Sequence, residues 1–351
     1  MKFKKNLILH LGINDKFIKP FVDYVDHNFS LKNHLFCLSP GMGEDLTLCS
    51  RVFIWNRKSI SHYLKLILEI NRARKIFLHG LFDHKICILL LLNPWNIKKT
   101  YWLVWGGDIY SIDKDPSLKS RLTSFFRNLL ASRIPFIVTS IPGDYINACI
   151  RYSSRASWLN YLYYPTSHVV ELPSKKKNIH ENSLNFNILV GNSATESNKH
   201  LEIFKVLSES KLLNCKLYIP LTYGSADYKK MVIQSGILTF GDIFIPILDH
   251  ISLKKYTDFL EKIHVAIFFH ERQQAMSTIR LLVGMGKVVY MNPESTGYQL
   301  LKSIGVKIFD FNLFDGNFFS LSNNEKEQNR RIICSYYNNG RLRDNLSSLF
   351  K

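Results

Sequence analysis

The side chains best suited to chemistry gather where an apolar run stops and polar residues begin. Asn187-Ile188-Leu189-Val190 runs into Gly191-Asn192-Ser193-Ala194-Thr195, and Val265–Phe269 runs into His270-Glu271-Arg272-Gln273-Gln274. A short apolar strand, a donor-rich loop and a helical pattern in that order is how an open parallel sheet presents a ligand, at the carboxyl ends of its strands. Gly191 lets the backbone approach closely, and Asn192, Ser193, Thr195 and Asn198 carry amides and hydroxyls that donate to phosphate oxygens. Asn198 or Ser197 is also suited to cap the helix that follows, which would make this an ordinary strand-to-helix loop. In the second junction the Arg272 guanidinium, with Gln273 and Gln274, suits a phosphate or sugar hydroxyls, although a solvated loop would use the same residues.

Two further junctions offer a proton acceptor. Trp105-Gly106-Gly107-Asp108 follows the strand Tyr101–Val104 and presents a carboxylate at a strand end, either as a general base or as the cap of a turn. His79 ends the strand Ile76–His79 and is the second candidate base, against the reading of a hydrogen-bonded structural histidine. Asp15, in the first strand-to-helix loop, comes third, and His10 reads as structural. No pair of carboxylates stands at a strand end to hold a divalent ion beside a diphosphate; Asp113-Lys114-Asp115 precedes Pro116 and reads as a surface turn. Gly41-Met42-Gly43 and Gly284-Met285-Gly286-Lys287 are neither a dinucleotide fingerprint nor a P-loop. The expectation is a site without metal and without cofactor.

The elements that position these residues alternate. Strand patterns at Leu7–Leu11, Leu35–Leu38, Val52–Trp55, Ile76–His79, Tyr101–Val104 and Phe136–Thr139 are interleaved with helical patterns at Ser61–Asn71, Phe82–Leu92, Leu118–Ala131 and Gly143–Tyr152. The rhythm resumes at Phe186–Val190, Lys216–Ile219, Val265–Phe269 and Val288–Met291, with helices near Asn198–Glu209, Ala226–Gln234, Leu253–Lys262 and Gln274–Met285. Strand-helix alternation implies right-handed βαβ units and parallel sheets. The polar, aperiodic stretch within residues 171–185 divides the chain into an α/β domain over 1–170 and another over 186–320, followed by a helical tail over 321–351 that could pack back on the first domain. Two Rossmann-like domains facing a cleft follow.

A chain of 351 residues suits about two domains at roughly 150 residues each. At 46% hydrophobic and 21% charged it is globular. The net charge of +18 implies an anionic partner: nucleic acid, an anionic membrane or a phosphorylated substrate. Lys and Arg are scattered with little aromatic interleaving, which disfavours nucleic acid. Arg121, Arg127, Arg133, Arg151 and Arg155, with Phe125, Phe126, Tyr152 and Trp158, could instead form a face for anionic lipid, or a solvated face over core aromatics. The six cysteines form no C-x-x-C pair and read as reduced core residues. The longest wholly apolar run, Ile86–Leu92, is far short of the roughly 20 residues of a membrane span.

Taken together, Phe77-Leu78-His79-Gly80, Trp102-Leu103-Val104-Trp105-Gly106-Gly107-Asp108-Ile109-Tyr110, Tyr163-Tyr164-Pro165-Thr166, Ile188–Ser193, Ser197-Asn198-Lys199-His200 and Arg272-Gln273-Gln274 resemble glycosyltransferase family 56. That family is known from a transferase that adds 4-acetamido-4,6-dideoxygalactose to lipid II of enterobacterial common antigen. The resemblance implies a GT-B, inverting, metal-independent hexosyltransferase. Its donor would be a thymidine-diphosphate (dTDP) sugar, and its acceptor an undecaprenyl-diphosphate-linked saccharide at the cytoplasmic face of the bacterial inner membrane. The donor side would then be Gly191, Asn192, Ser193, Thr195, Asn198, Tyr223, Arg272, Gln273, Gln274 and Thr278, with Asp108 or His79 as base. The chain departs from the family pattern at Ala275-Met276-Ser277-Thr278, where a glycine-containing turn is expected, and at Leu221-Thr222-Tyr223-Gly224. These are donor- and acceptor-reading positions, so O-antigen or capsule synthesis fits as well as common-antigen synthesis. A non-catalytic two-domain binder of a phosphorylated ligand is the alternative.

Overall fold

The computed structural model describes residues 6–46, 49–110, 117–162, 164–165, 186–210 and 214–351. They form two compact units, residues 1–169 with 338–351 and residues 170–337. The expected linker at 171–185 lies outside the described residues.

The first unit contains β1 (Ile8–Ile13), α1 (Ile18–Phe29), β2 (His34–Ser39), β3 (Val52–Ile54), α2 (Ile60–Arg72), β4 (Lys75–His79), α3 (His84–Leu92), β5 (Thr100–Leu103), the short α4 (Gly107–Tyr110), α5 (Leu118–Ala131), β6 (Phe136–Val138), α6 (Pro142–Tyr152) and β7 (Ser157–Leu159). Its strands are parallel, in the order β3-β2-β1-β4-β5-β6-β7. The order reverses between β1 and β4, where Gly12 pairs with His79, so the polar ends of those strands open beside each other. On one face, Leu9, Leu11, Leu78 and Trp102 pack under α2, α3, α5 and α6. On the other, the alternate residues His10, Phe36 and Phe77 meet Phe21 of α1 and Phe350.

The second unit contains β8 (Phe186–Val190), α7 (His200–Ser208), β9 (Cys215–Pro220), α8 (Ala226–Phe240), β10 (Phe244–Ile247), α9 (Leu253–Glu261), β11 (Val265–Phe268), α10 (Met276–Gly284), β12 (Val288–Met291), α11 (Thr296–Ser303), β13 (Phe309–Asp310) and α12 (Asn323–Tyr336). Its order, β10-β9-β8-β11-β12-β13, is again all parallel and reverses between β8 and β11. The sheet core is aliphatic, with Ile188, Val190, Leu217, Ile219, Val265 and Ile267 buried together.

The expected tail divides. Helix α12 stays with the second unit, where the Asn329 side chain exchanges hydrogen bonds with the Lys307 backbone at 2.7 and 2.9 Å. Residues from Asn338 onward, including α13 (Asn339–Phe350), belong to the first unit. There Lys75 Nζ donates to Leu349 O (2.8 Å), Leu162 N–H donates to Asn345 Oδ1 (3.0 Å) and Tyr24 OH donates to Asn339 Oδ1 (2.6 Å).

Candidate active site

The two donor-rich loops meet at the point where the second sheet reverses. Gly191 leaves β8 at φ +67°, a left-handed conformation that glycine adopts without penalty. A Cβ there would stand 2.6 Å from His200 Nε2 and 2.8 Å from Asn198 Oδ1, so the packing also excludes a side chain.

Asn198, fully buried, is the post around which the loop is wound. Its Oδ1 accepts from the Asn192 backbone N–H (2.9 Å) and faces His270 Nε2 at 3.0 Å. Its Nδ2 donates to Thr195 Oγ1 (2.7 Å) and to Ser193 Oγ and Thr195 O (3.2 Å each). The capping role expected for Asn198 or Ser197 is not what the fold uses: α7 starts after Lys199 in a left-handed conformation, with no side-chain cap.

Gln274 ties the second loop to the first. Its Nε2 donates to Asn192 Oδ1, Ser193 Oγ and Thr195 Oγ1, each at 3.1 Å, while Ser197 Oγ donates to its Oε1 at 2.8 Å. Beside it Arg272 is half-buried, its Nε 3.4 Å from Ser197 Oγ, and among the described residues it has no carboxylate partner. Burial lowers its basicity from the ordinary arginine value. Gln273 is half-buried in the same loop. Glu271 points elsewhere, to Lys199 at 3.4 Å.

Helix starts in this unit fall into two groups. Those of α8, α9, α11 and α12 are capped by Ser225, Ser252, Ser295 and Ser322. Those of α7 and α10, which begin at the sheet reversal, take no cap from the side chain of the preceding residue, although on α7 the Tyr228 hydroxyl accepts from the His200 N–H at 3.2 Å. Uncapped N–H groups with a helix dipole behind them are an anion site in waiting. Ala275, which precedes α10, sits at φ +56°, where glycine would be unstrained. An alanine in that left-handed conformation carries a strain of about 1 kcal/mol.

A cavity of about 270 Å³ opens beside the same strand ends, lined in part by Asn192, Pro220, Tyr223, Ile247, Tyr256 and Thr278. Tyr223, about half exposed, accepts a hydrogen bond at its hydroxyl from Asn192 Nδ2 (2.8 Å), and Tyr256 OH lies 3.3 Å from Thr278 Oγ1. Every donor-side residue expected from the sequence thus stands in this one neighbourhood.

Sequence reasoning gave no role to His200 and His270. Both are buried, and burial holds them neutral, at about 4 and about 3. Among the described residues His200 Nε2 finds no hydrogen-bond partner. A histidine at a strand end and another at a helix start were the available signals.

In the first unit both expected bases lie inside the protein. Asp108 is 2% exposed; its carboxylate accepts from Trp102 Nε1 (2.7 Å), Trp105 N–H (3.1 Å) and Leu81 N–H (3.3 Å). Burial raises its pKa to about 6 against those bonds. This is the capping arrangement, with the carboxylate closing the turn Trp105–Asp108. His79 is wholly buried and held near 3 by desolvation. Its Nε2 is 3.0 Å from His10 Nδ1, its Nδ1 is 2.6 Å from Tyr164 OH, and His10 Nε2 is 3.0 Å from His34 Nδ1. Asp15 differs: it is half-buried at the carboxyl end of β1, and its carboxylate accepts from Phe17 N–H at 3.3 Å.

The sequence profile described as 4-alpha-L-fucosyltransferase, glycosyl transferase group 56, matches residues 30–312. This chain belongs to glycosyltransferase family 56. Among solved structures it is similar to an α,α-trehalose-phosphate synthase (UDP-forming) from Burkholderia xenovorans in complex with glucose-6-phosphate, at 10% identity and TM-score 0.62, with 98% of each chain covered. It is also similar to WaaG, a glycosyltransferase of lipopolysaccharide biosynthesis, at 10% identity and TM-score 0.55, covering 98% of this chain and 94% of that one. An E. coli trehalose-6-phosphate structure bound with UDP-2-fluoro glucose matches at 8% identity and TM-score 0.63, covering 98% and 99%. At such identities the likeness is one of fold: the family 56 chain has the GT-B architecture. Family membership makes it a glycosyltransferase and sets aside the non-catalytic alternative. Among the described residues no helix is long and apolar enough to cross a membrane.

Proposed function

We propose that this family 56 enzyme moves a 4-acetamido-dideoxyhexose, or a related dideoxyhexose, from a dTDP-sugar to an undecaprenyl-diphosphate-linked saccharide, with inversion and without a metal or other cofactor. It would act at the cytoplasmic face of the inner membrane, in O-antigen, capsule or common-antigen synthesis. The observation that carries the reading is Arg272, a half-buried guanidinium without a carboxylate partner among the described residues, at the reversal of the second sheet and four residues before the uncapped α10. A buried cation without its counter-charge is costly, and a ligand diphosphate supplies that charge.

Inversion is a single displacement. The acceptor hydroxyl oxygen attacks the anomeric carbon, the bond to the diphosphate oxygen breaks, and a base takes the hydroxyl proton. Leaving-group charge is met by Arg272, Gln274 and the α10 N–H groups. The metal-free route is part of this proposal, and turnover in excess EDTA is its test. For the base we favour Asp15, whose carboxylate is the least committed of the three candidates. Asp108 and His79 become positioning residues that hold the turn at 105–108 and the end of β4.

The deciding experiment is turnover. Purified enzyme with a dTDP-4-acetamido-4,6-dideoxyhexose and an undecaprenyl-diphosphate disaccharide should release dTDP and lengthen the lipid-linked glycan, equally well in excess EDTA, with inverted anomeric configuration by NMR. Transfer from a UDP-hexose alone would refute the donor, and a retained configuration the mechanism.

A further inference from the structure

The helices that cover one face of the first sheet present an outer surface that is apolar and cationic at once. On α5, Leu118, Leu122 and Phe125 are 72%, 50% and 56% exposed, and their spacing sets them on one stripe. On the neighbouring α6, Ile146 and Ile150 are 52% and 74% exposed, on the side of the helix opposite its buried Asp144, Ala148 and Tyr152. Exposed Arg121 and Arg151 flank these two stripes. Helix α5 contains no acidic residue, and the one on α6, Asp144, is buried and accepts from Tyr110 OH at 2.6 Å. Among the described residues of α5 and α6 the exposed formal charge is therefore wholly positive.

The aromatics that the sequence suggested for such a face lie mostly elsewhere. Tyr152 is 3% exposed and bonded to the Asp108 carbonyl, and Trp158 donates to Thr139 O (3.0 Å) and stacks on Tyr145. Only Phe125 of that set is exposed, and four aliphatic side chains supply the rest.

Clustered exposed apolar side chains mark a docking surface. The charge identifies what docks. A bilayer rich in anionic headgroups offers a negative plane directly above an apolar layer, which complements both features. We propose that the α5–α6 face seats this enzyme on an anionic bilayer, with the five apolar side chains entering the acyl boundary and Arg121 and Arg151 at headgroup level. The link to function rests on the lipid-borne acceptor proposed above, but vesicle binding is measured without turnover, so the two can fail separately.

The test is sedimentation of the full chain with phosphatidylcholine vesicles, with and without phosphatidylglycerol, at low and at physiological salt. The wild type should bind the anionic vesicles, and part of that binding should survive raised salt because insertion is not screened. Leu122→Ser/Phe125→Ser/Ile150→Ser should weaken partitioning at least about tenfold at both salts. Arg121→Glu/Arg151→Glu should weaken it at least about thirtyfold at low salt and much less at high salt. Ile237→Ser/Leu238→Ser, which removes side chains 57% and 89% exposed on α8 of the second unit, should change nothing. Unchanged melting temperatures would verify that the variants fold. Two results overturn the assignment: a triple variant that binds like wild type, or a lipid-free oligomer that the triple variant dissociates, which would make the face a protein interface.

Discussion

Removing the Asn198 side chain tests whether the donor loop is held as the geometry says. Asn198→Ala deletes an acceptor that serves Asn192 N–H and His270 Nε2 and a donor that serves Ser193 and Thr195. Ser193 Oγ and Thr195 Oγ1 keep Gln274 as a partner, so the loss concentrates on two groups. One is a wholly buried imidazole and the other the N–H that follows Gly191. An orphaned buried polar group costs about 1–3 kcal/mol, so the pair should cost about 4 kcal/mol. In a unit of this size 1 kcal/mol moves the melting temperature by about 2–4 °C, so a drop of roughly 10 °C is expected. Differential scanning calorimetry reads that drop, and titration calorimetry with dTDP should show affinity reduced at least about tenfold as the loop loses its preorganisation. A melting temperature within about 3 °C of wild type, with affinity unchanged, would mean that Asn198 carries no such load.

Arg272→Ala should weaken dTDP binding and slow transfer by about 1.5–3 kcal/mol, the value of one charge-assisted contact; calorimetry with unchanged affinity, together with an unchanged rate, would remove Arg272 from the site. Asp15→Asn should depress turnover by about 10²–10⁴-fold with dTDP affinity intact, whereas Asp108→Asn, which puts an NH2 in place of one of the two oxygens that accept from Trp102, Trp105 and Leu81, should lower the melting temperature first; the reverse pattern would return the base to Asp108. Stability should fall in acid. The folded protein holds His79 and His270 near 3 and His34 and His200 near 4, below the ordinary 6.5, so the unfolded chain gains protons that the folded one refuses. Their contribution is complete above about pH 6.5 and fades toward pH 3, each losing about 2 kcal/mol by pH 5. Asp108, raised to about 6, acts in the opposite sense, favouring the fold at low pH and losing that as pH rises through about 6. A flat melting temperature between pH 7 and 5 would contradict the histidine account.

Much of this was legible in the sequence because hydrophobic period and strand-end chemistry are local properties. Leu118–Ala131 and Val288–Met291 were found to the residue. The misses have local causes too. Helix α1 carries Pro20, which reads as a breaker but falls in the first turn, where its missing N–H is not needed. Strand β10 carries Pro246, tolerable because β10 lies at a sheet edge. Strand β13, of two residues, is too short to show a period. In the donor loop the residue types announced hydrogen bonding but not direction: Asn198 could cap a helix or brace a loop, and only its distances to Asn192 and His270 decide. Asp108 poses the same ambiguity, since a carboxylate after paired glycines closes a turn as readily as it faces a substrate.

The return of residues 338–351 to the first unit has a consequence for biogenesis. Chains emerge from the ribosome from the amino end, and domains ordinarily fold in that order. Here the first unit is discontinuous: Phe350 packs edge-on against His34 and Phe77, beside the buried His10. Helix α1 covers part of that side through Phe21, but the part under Phe350 stays open until the whole second unit has been translated. The unit made second is therefore free to fold first, and the unit made first must wait, with an apolar, histidine-bearing sheet face open to chaperones until α13 arrives.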